Sequence, residues 1–390
     1  MKKTVPLISD RILQLVIFLS INSLFILKYV PRTGINSIIV CIVYITFILV
    51  SYFLSNKYMP LVSRTKIKIS YWAITGLAII GIGCLLYIVD PYKLRIDRWS
   101  SLSCFWDSLL QGNFPYAAHT HLRINSFTSA FPFWLLVSFP FYLLGDVGYE
   151  LIFFLLITAL ALRYYFSSYH KAFFFLALLL VSPAYWYEIS ARSDSLSNGL
   201  FVFMIILWYL KSNRTLDNSF LVSIMFCGLI ASTRLSAVLP IAIFFFQQYL
   251  NLPLKRKIIF PTLVLGVAFL FLSPFIFWDT NKWPFFEHNP FMAQTGNGNI
   301  YFLLIMIILG IILSLHWKSA PKIFSHISLF VFIFMLGSQF VCIYTAGGGN
   351  LFSEAISDIS YTTLALPYCL AYLTTDFKFE KQTGVNEIAI

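Results

Sequence analysis

Apolar runs follow one another along almost the whole of this 390-residue chain. A run of roughly 17–25 apolar residues crosses the ~30 Å hydrocarbon layer of a membrane as an α-helix, which satisfies its own backbone hydrogen bonds in lipid. The pattern therefore predicts an all-α polytopic membrane protein, one helical domain over residues 1–390. The twelve predicted spans are 12–30, 36–54, 70–89, 149–166, 172–188, 195–210, 219–232, 235–250, 258–277, 300–316, 323–345 and 359–375.

One apolar segment, 131–144, is short and contains Pro132 and Pro140. We expect it to lie along the outer membrane surface, because proline disfavours a continuous spanning helix. Both termini and most of the 27 Lys and Arg residues then fall on the cytoplasmic side, including the cluster at 255–257. A crossing at 131–144 would place that cluster outside, against the positive-inside rule.

The same rule divides 219–250 into two legs that meet near Arg234. A leg of about 14 residues rises only ~21 Å as a helix, which is less than the hydrocarbon thickness. We therefore expect Arg234 at the floor of an outward-facing recess.

Composition narrows the classes of function. A hydrophobic fraction of 59%, with only 11% charged residues, excludes an ordinary soluble domain. The net charge of +11 comes mainly from loops between apolar runs, so it indicates topology and no nucleic-acid partner. The six cysteines show no CxxC spacing, which argues against a disulfide framework or a zinc site. Near the N-terminus, cations precede an apolar run without a convincing cleavage site, and we expect an uncleaved first span.

The longest polar interval, 90–129, opens the predicted outer loop 90–148, where we expect the active site on juxtamembrane helices. Within it, 98–111 has the period of an amphipathic helix lying on the membrane, and Gly112 ends that helix. Asp97 stands at the helix start, where a carboxylate is either a helix cap or a reactive group. The interval contains the following ionisable residues: Asp90, Lys93, Arg95, Asp97, Arg98, Asp107, His119, His121 and Arg123.

Asp97-Arg98-Trp99 is followed by Gly112-Asn113-Phe114-Pro115-Tyr116. This arrangement resembles the first outer loop of GT-C-fold glycosyltransferases. Protein O-mannosyltransferases and lipid A aminoarabinose transferases are such polytopic enzymes, and they use polyprenyl-phosphate sugars. Three later segments resemble the family more loosely: 191–194 its Arg-x-x-x-Asp outer turn, 232–234 its Thr-Lys or Thr-Arg, and 361–367 its terminal Tyr-to-Pro motif.

The chain departs from the family pattern at two positions. Arg98 replaces the second acid of the usual Asp-Glu pair, which weakens the case for a divalent metal. Ser360 stands where the family has its last arginine. The resemblance leaves a polyprenyl-phosphate monosaccharide as the expected donor, with a lipid, glycan or protein hydroxyl as acceptor.

Sugar transfer from a phosphate needs a base for the incoming hydroxyl and positive charge for the departing phosphate. We expect Asp97 to be the base and Arg234 the main phosphate ligand, since guanidinium matches phosphate oxygens bidentately. Arg234 snorkelling to the outer surface is the alternative. The other candidates for substrate binding are Arg98, Arg123, Arg192, Asp194 and Tyr361.

These other candidates have structural alternatives. Arg98 and Arg123 are either phosphate or acceptor contacts or interfacial anchors. Arg192 and Asp194 either bind substrate or pair with each other. For the His-x-His pair at 119–121, a solvated loop is favoured over a metal site.

The expected function is an inverting glycosyltransferase in the cytoplasmic membrane, with cytoplasmic termini and an extracytoplasmic active site. A flippase for lipid-linked sugars and a glycan polymerase or ligase are the rivals. A transporter would favour charges midway through spans and repeated halves, whereas here the charges cluster at one face. A polymerase or ligase would have its main outer loop late in the chain.

Overall fold

A computed structural model describes residues 9–94, 96–122, 126–295, 299–316, 319–345, 347–352 and 358–375, and helices dominate them. In chain order the helices are α1 (Asp10–Tyr29), α2 (Ser37–Tyr58), α3 (Arg64–Ile88), α4 (Arg98–Leu110), α5 (Pro132–Leu143), α6 (Tyr149–Phe166), α7 (Tyr169–Leu180), α8 (Pro183–Ser190), α9 (Asp194–Lys211), α10 (Phe220–Ala231), α11 (Leu235–Leu250), α12 (Leu254–Ile276), α13 (Pro284–Glu287), α14 (Pro290–Thr295), α15 (Ile300–Leu315), α16 (Ala320–Thr345) and α17 (Leu366–Thr375).

Among the described residues, six helices are long and apolar enough to cross a membrane, or up to eight if two bent pairs each form one span. The six are α1, α2, α3, α6, α12 and α16. Polar caps fix where the first two begin: the Ser9 hydroxyl accepts from a backbone N–H of α1, and Asn36 does the same for α2. The chain is thus an all-α protein with several helices suited to crossing a membrane.

Two predicted spans are not single α-helices. Within 172–188, α7 and α8 are bent by 65° at a break before Pro183, whose ring and missing N–H prevent continuation of the preceding helix. Within 359–375, the 3-10 helix Ile359–Ala365 precedes α17, which has only ten residues. The described residues contain six to eight helices suited to crossing a membrane, so the prediction of twelve spans is not confirmed.

The predicted break within 219–250 is confirmed. Helices α10 and α11 have 12 and 16 residues, which correspond to about 18 and 24 Å of rise. Arg234 stands before α11 with extended backbone, φ −157° and ψ 148°. The break 232–234 is held by backbone bonds, in which the N–H groups of Phe131 and Phe133 donate to Thr233 and Ser232.

The chain divides into two compact units. The first contains the described residues of Met1–Ala78, Ala159–Tyr187 and Met306–Ile390, and the second is formed by Ile79–Thr158 and Glu188–Ile305. The second unit contains the described residues of the predicted outer loop 90–148 and most of the predicted site residues.

Three buried polar side chains of the first unit, Gln14, Asn22 and Ser328, find partners within it. The Gln14 amide donates to the backbone oxygen of Ser325 at 3.2 Å, and the Ser328 hydroxyl donates to Gln14. The Asn22 amide oxygen accepts from the Ser182 hydroxyl at 2.5 Å. Such pairing offsets the cost of burying polar groups, so these contacts stabilise the unit.

Helix α4 differs from the predicted surface helix. Its serines Ser100, Ser101 and Ser103 are buried together with Leu102 and Phe105, so protein covers more than the apolar face. The predicted end is confirmed at Gly112, whose φ of +77° suits glycine.

Candidate functional site

Asp97 precedes α4, but its side chain makes no cap hydrogen bond to the helix. The interpretation of Asp97 as a cap is therefore wrong. Its Oδ2 atom instead accepts from the hydroxyl of Thr120 at 3.1 Å and from that of Ser126. Asp97 is half-buried, so a carboxylate held by two hydroxyl donors remains partly accessible to solvent.

The two donors to Asp97 belong to one loop. An isolated antiparallel bridge joins His119 to Phe127, and the Thr120 N–H donates to the Ser126 carbonyl at 2.9 Å. His121 ties the same loop to α4, since its Nδ1 lies 2.6 Å from the Ser100 hydroxyl. The loop therefore positions both donors against Asp97. Arg123 lies outside the described residues.

Arg98, which follows Asp97, points to the start of α9. Its guanidinium is buried and donates to the hydroxyls of Ser193, at 3.0 Å, and Ser195, at 2.6 Å. These two serines flank Asp194, the first residue of α9. The Arg98 guanidinium therefore connects α4 to α9 inside the protein. A side chain that anchors a protein at the membrane surface would instead be exposed there.

Asp194 pairs with Arg234. Both Nε, at 2.8 Å, and Nη2 of the guanidinium donate to Asp194 Oδ2, and Nη1 donates to the Ser129 hydroxyl at 3.1 Å. Arg234 is buried, and its side chain is only 4% exposed, so protein encloses the guanidinium at the break. The physical reason is that the break between α10 and α11 packs against 131–133 and α9.

Two short routes connect Asp97 with Arg234. Ser126 binds Asp97 and Ser129 binds Arg234, and three residues of chain extend at most about 10 Å. The second route passes from Arg98 to the serines beside Asp194. The fold therefore gathers Asp97, Arg98, Asp194 and Arg234 around the N-terminus of α9.

Gln294 reinforces this arrangement, and the sequence analysis did not select it. Its amide nitrogen donates to the Ser129 carbonyl at 2.5 Å, and its amide oxygen accepts from the Leu235 N–H at 2.9 Å. The segment that binds Arg234 is therefore tied to the start of α11. A lone glutamine in the short helix α14 carries no sequence signal of such a role.

Arg192 is not part of the group. Its Nε donates to Asp146 Oδ2 at 2.8 Å, and its two terminal nitrogens donate to the carbonyls of Leu86 and Val89 at the end of α3. The suggested pairing of Arg192 with Asp194 is wrong. Arg192 has a left-handed φ of +49°, and its guanidinium contacts Asp146 and the end of α3 instead of Asp194.

Glu150, in the first turn of α6, is a buried carboxylic residue that was not among the predicted site residues. It is 1% exposed, lies beside the Ser197 hydroxyl, and is within electrostatic reach of Asp194 and Arg234. One sequence feature could have indicated this buried polar region. It is the run of polar residues at the start of a predicted span, Ser193-Asp194-Ser195-Leu196-Ser197-Asn198.

The remaining predicted residues lie elsewhere. Tyr361 belongs to the first unit, on the 3-10 helix Ile359–Ala365. Asp107 is exposed and accepts at 2.6 Å from the Tyr142 hydroxyl, which raises the pKa of Tyr142 to about 12. Across the part of the chain that is described, no three His, Cys, Asp or Glu side chains group closely enough to hold a metal ion.

No protein-family model, characterised protein or solved structure matches this chain. The function is therefore argued from the site alone. Its chemical content is a partly accessible carboxylate, two buried guanidinium groups and the N-terminus of an 18-residue helix. That N-terminus adds partial positive charge to the cations.

Proposed function

We propose that this protein is a GT-C-type membrane glycosyltransferase. It transfers a monosaccharide from a polyprenyl-phosphate carrier to a hydroxyl of a lipid, glycan or protein. The observation that supports this best is the joining of Asp97, by two short routes, to the buried guanidinium groups of Arg98 and Arg234. A base and a cluster of positive charge are the two elements that the reaction needs.

The proposed reaction is a single displacement at the anomeric carbon. The Asp97 carboxylate takes the proton of the acceptor hydroxyl as that oxygen forms a new bond to the carbon. The bond from the same carbon to the phosphate oxygen breaks, and polyprenyl phosphate leaves with the bonding electrons. Attack opposite the leaving group inverts the anomeric configuration.

Positive charge at the start of α9 stabilises the departing phosphate. Asp194 holds the Arg234 guanidinium in one orientation, and Ser193 and Ser195 hold that of Arg98. Cations fixed before the reaction need little reorganisation as negative charge develops, which is the main source of such stabilisation.

The proposed setting is the cytoplasmic membrane, with both termini in the cytoplasm and the site on the opposite face. The positive-inside distribution of Lys and Arg supports this orientation. The short length of α5, 12 residues, supports its placement along the membrane surface, because about 18 Å of helix does not cross the hydrocarbon layer.

Asp97→Asn tests the proposal in proteoliposomes that contain a labelled polyprenyl-phosphate monosaccharide and acceptor membranes. We expect transfer to fall about 10²–10⁴-fold, the usual contribution of a general base. Asp107→Asn is the matched control, because Asp107 lies in α4 but is exposed. Transfer by a folded Asp97→Asn protein at the rate of the control would overturn the proposal.

A flippase for lipid-linked sugars is the second candidate. The observation that favours it is the interrupted helix pair α10 and α11 with Arg234 at the break, since transporters bind substrates at broken helices. The two functions differ in their product. A flippase moves fluorescent lipid-linked sugar across the bilayer and leaves the sugar–phosphate bond intact, whereas a transferase releases polyprenyl phosphate.

A further inference from the structure

The first two turns of α9 carry polar side chains deep inside the second unit. Asp194, Ser197 and Asn198 lie on one face of the helix, because residues three and four apart are neighbours on a helix surface. Asn198 is 0% exposed. Neither the oxygen nor the nitrogen of its amide has a hydrogen-bond partner within the described part of the chain.

An amide buried in this state is costly. A buried donor or acceptor without a partner loses its hydration and gains nothing in return, at about 1–3 kcal/mol per group. Nearly all buried polar groups in native proteins are therefore hydrogen-bonded, and an exception calls for a ligand or a role. In Asn198 both an acceptor and a donor are in this position, and these two unsatisfied atoms indicate that something polar binds beside α9.

Other atoms in the neighbourhood share the condition. Oδ1 of Asp194 and the indole N–H of Trp134 are buried and, among the residues described, unpartnered. Trp134 packs near Phe201, with ring centroids 6.2 Å apart, and Phe201 follows Asn198 by one turn of α9. Donors, acceptors and aromatic rings therefore occupy one region of the second unit.

Glu150 belongs to the same region. It lies one turn before Phe154 on α6, and Phe154 stacks on Trp134 with centroids 5.4 Å apart. Its carboxyl also lies beside the Ser197 hydroxyl and near Asp194. A carboxylic group is thereby added to the polar atoms that surround Asn198.

The mixture of groups selects the chemistry of the ligand. A bare cation would leave the N–H groups of Asn198 and Trp134 without an acceptor. A bare anion would leave the oxygens of Asp194 and Asn198 without a donor. A hydroxyl both donates and accepts, as water does, so a ring bearing several hydroxyls matches both kinds of atom when it displaces water from them. The aromatic side chains suit the apolar face of such a ring.

We propose that this group, Trp134, Glu150, Asp194, Ser197 and Asn198, binds the sugar of the donor lipid through its hydroxyls. This inference rests on the proposed function, because it takes the phosphate to lie at the neighbouring Arg234. The arrangement separates two tasks: the guanidinium groups recognise what all polyprenyl-phosphate donors share, and the α9 face recognises the sugar.

Asn198→Leu distinguishes a ligand-binding amide from a structural one. The Asn198 side chain has no hydrogen-bond partner among the described residues, so its replacement by leucine breaks no hydrogen bond of the fold. We therefore expect the melting temperature of the detergent-purified variant to stay unchanged or to rise. An amide that held the fold together would lower the melting temperature. Asn218→Ala is the control for asparagine substitution, because Asn218 is exposed in the loop between α9 and α10.

Binding is then measured with three probes: undecaprenyl phosphate, the same lipid phosphate carrying glucose, mannose or galactose, and the free methyl hexosides. We expect Asn198→Leu to weaken binding of the sugar-bearing lipid that the unmodified protein prefers by about tenfold or more, the effect of losing one to two hydrogen bonds. Binding of undecaprenyl phosphate itself should not change.

The inference would be overturned by an equal loss of affinity for both lipids, by no loss for either, or by a melting temperature that falls with Asn198→Leu. A loss confined to free methyl hexosides would also overturn it, because it would assign the ring to an acceptor. Failure of the proposed function is a separate observation, since it would appear as unchanged transfer in Asp97→Asn and not in these binding measurements.

Discussion

The guanidinium of Arg234 and the carboxylate of Asp194 form an ion pair whose side chains are only 4% and 1% exposed. The pair joins the break between α10 and α11 to the first residue of α9. Charges so shielded from water are costly to separate, because neither partner is compensated by solvent. The pair therefore both fixes the local fold and sets the position of the charge proposed to bind phosphate.

Arg234→Met should destabilise the protein strongly, because it leaves the Asp194 carboxylate buried without its guanidinium. We expect a cost of about 3–5 kcal/mol, measured as a lower midpoint of thermal unfolding in detergent. The double variant Arg234→Met/Asp194→Leu should recover much of this loss, since it removes both charges.

Arg256 and Asp217 provide the matched control, because their ion pair is 43% and 65% exposed. An exposed pair contributes about 0–1 kcal/mol, so Arg256→Met should shift the unfolding midpoint little. If Arg256→Met and Arg234→Met proved equally stable, the buried pair would not have the stabilising role described.

Thr120→Val and Ser126→Ala should each reduce sugar transfer while the protein stays folded. Each variant removes one hydroxyl donor to Asp97, and a hydrogen bond to a charged group is worth about 1.5–3 kcal/mol, or roughly tenfold or more in rate. The measurement is initial transfer rate alongside thermal unfolding. Thr262→Val, at an exposed hydroxyl of α12, is the control and should retain full activity.

Gly228→Ala should destabilise the packing of α10 on α12. An added Cβ at Gly228 would lie 2.5 Å from Cβ of Val267, so one helix must move, at a cost of about 1–3 kcal/mol. Gly266→Ala, in α12, meets nothing within 4 Å and should be neutral or stabilising by about 0.5–1 kcal/mol. The midpoint of thermal unfolding should therefore fall for Gly228→Ala and stay the same or rise for Gly266→Ala.

Membrane orientation can be checked with introduced cysteines in a background where the three cysteines that are not buried, Cys84, Cys104 and Cys342, are replaced by alanine. We expect Lys93→Cys to react with a membrane-impermeant maleimide in intact spheroplasts, since Lys93 is 83% exposed and lies in the proposed outer loop. Lys255→Cys should react only after lysis. The reverse pattern would place the site in the cytoplasm.

Local features of the chain were predictable. Apolar run length indicated most of the long helices, Gly112 marked the end of α4, and the positive-inside rule located the break near Arg234. Each of these depends on residues close in sequence, so pattern alone carries the information. The number of spans was not predictable in this way, because hydropathy does not register how long each helix is: α10, α11 and α17 have only 12, 16 and 10 residues.

The order of apolar and charged residues was enough to predict a helical chain suited to a membrane, with charged residues beside its apolar runs. The partners of those charged residues depended on folding: Asp194 pairs with Arg234, 40 positions away, and Arg192 with Asp146, 46 positions away. Such pairs depend on the direction in which a side chain leaves its helix or turn, and on which distant segments pack there. Spacing along the chain contains neither, and so the neighbours Arg192 and Asp194 end with different partners.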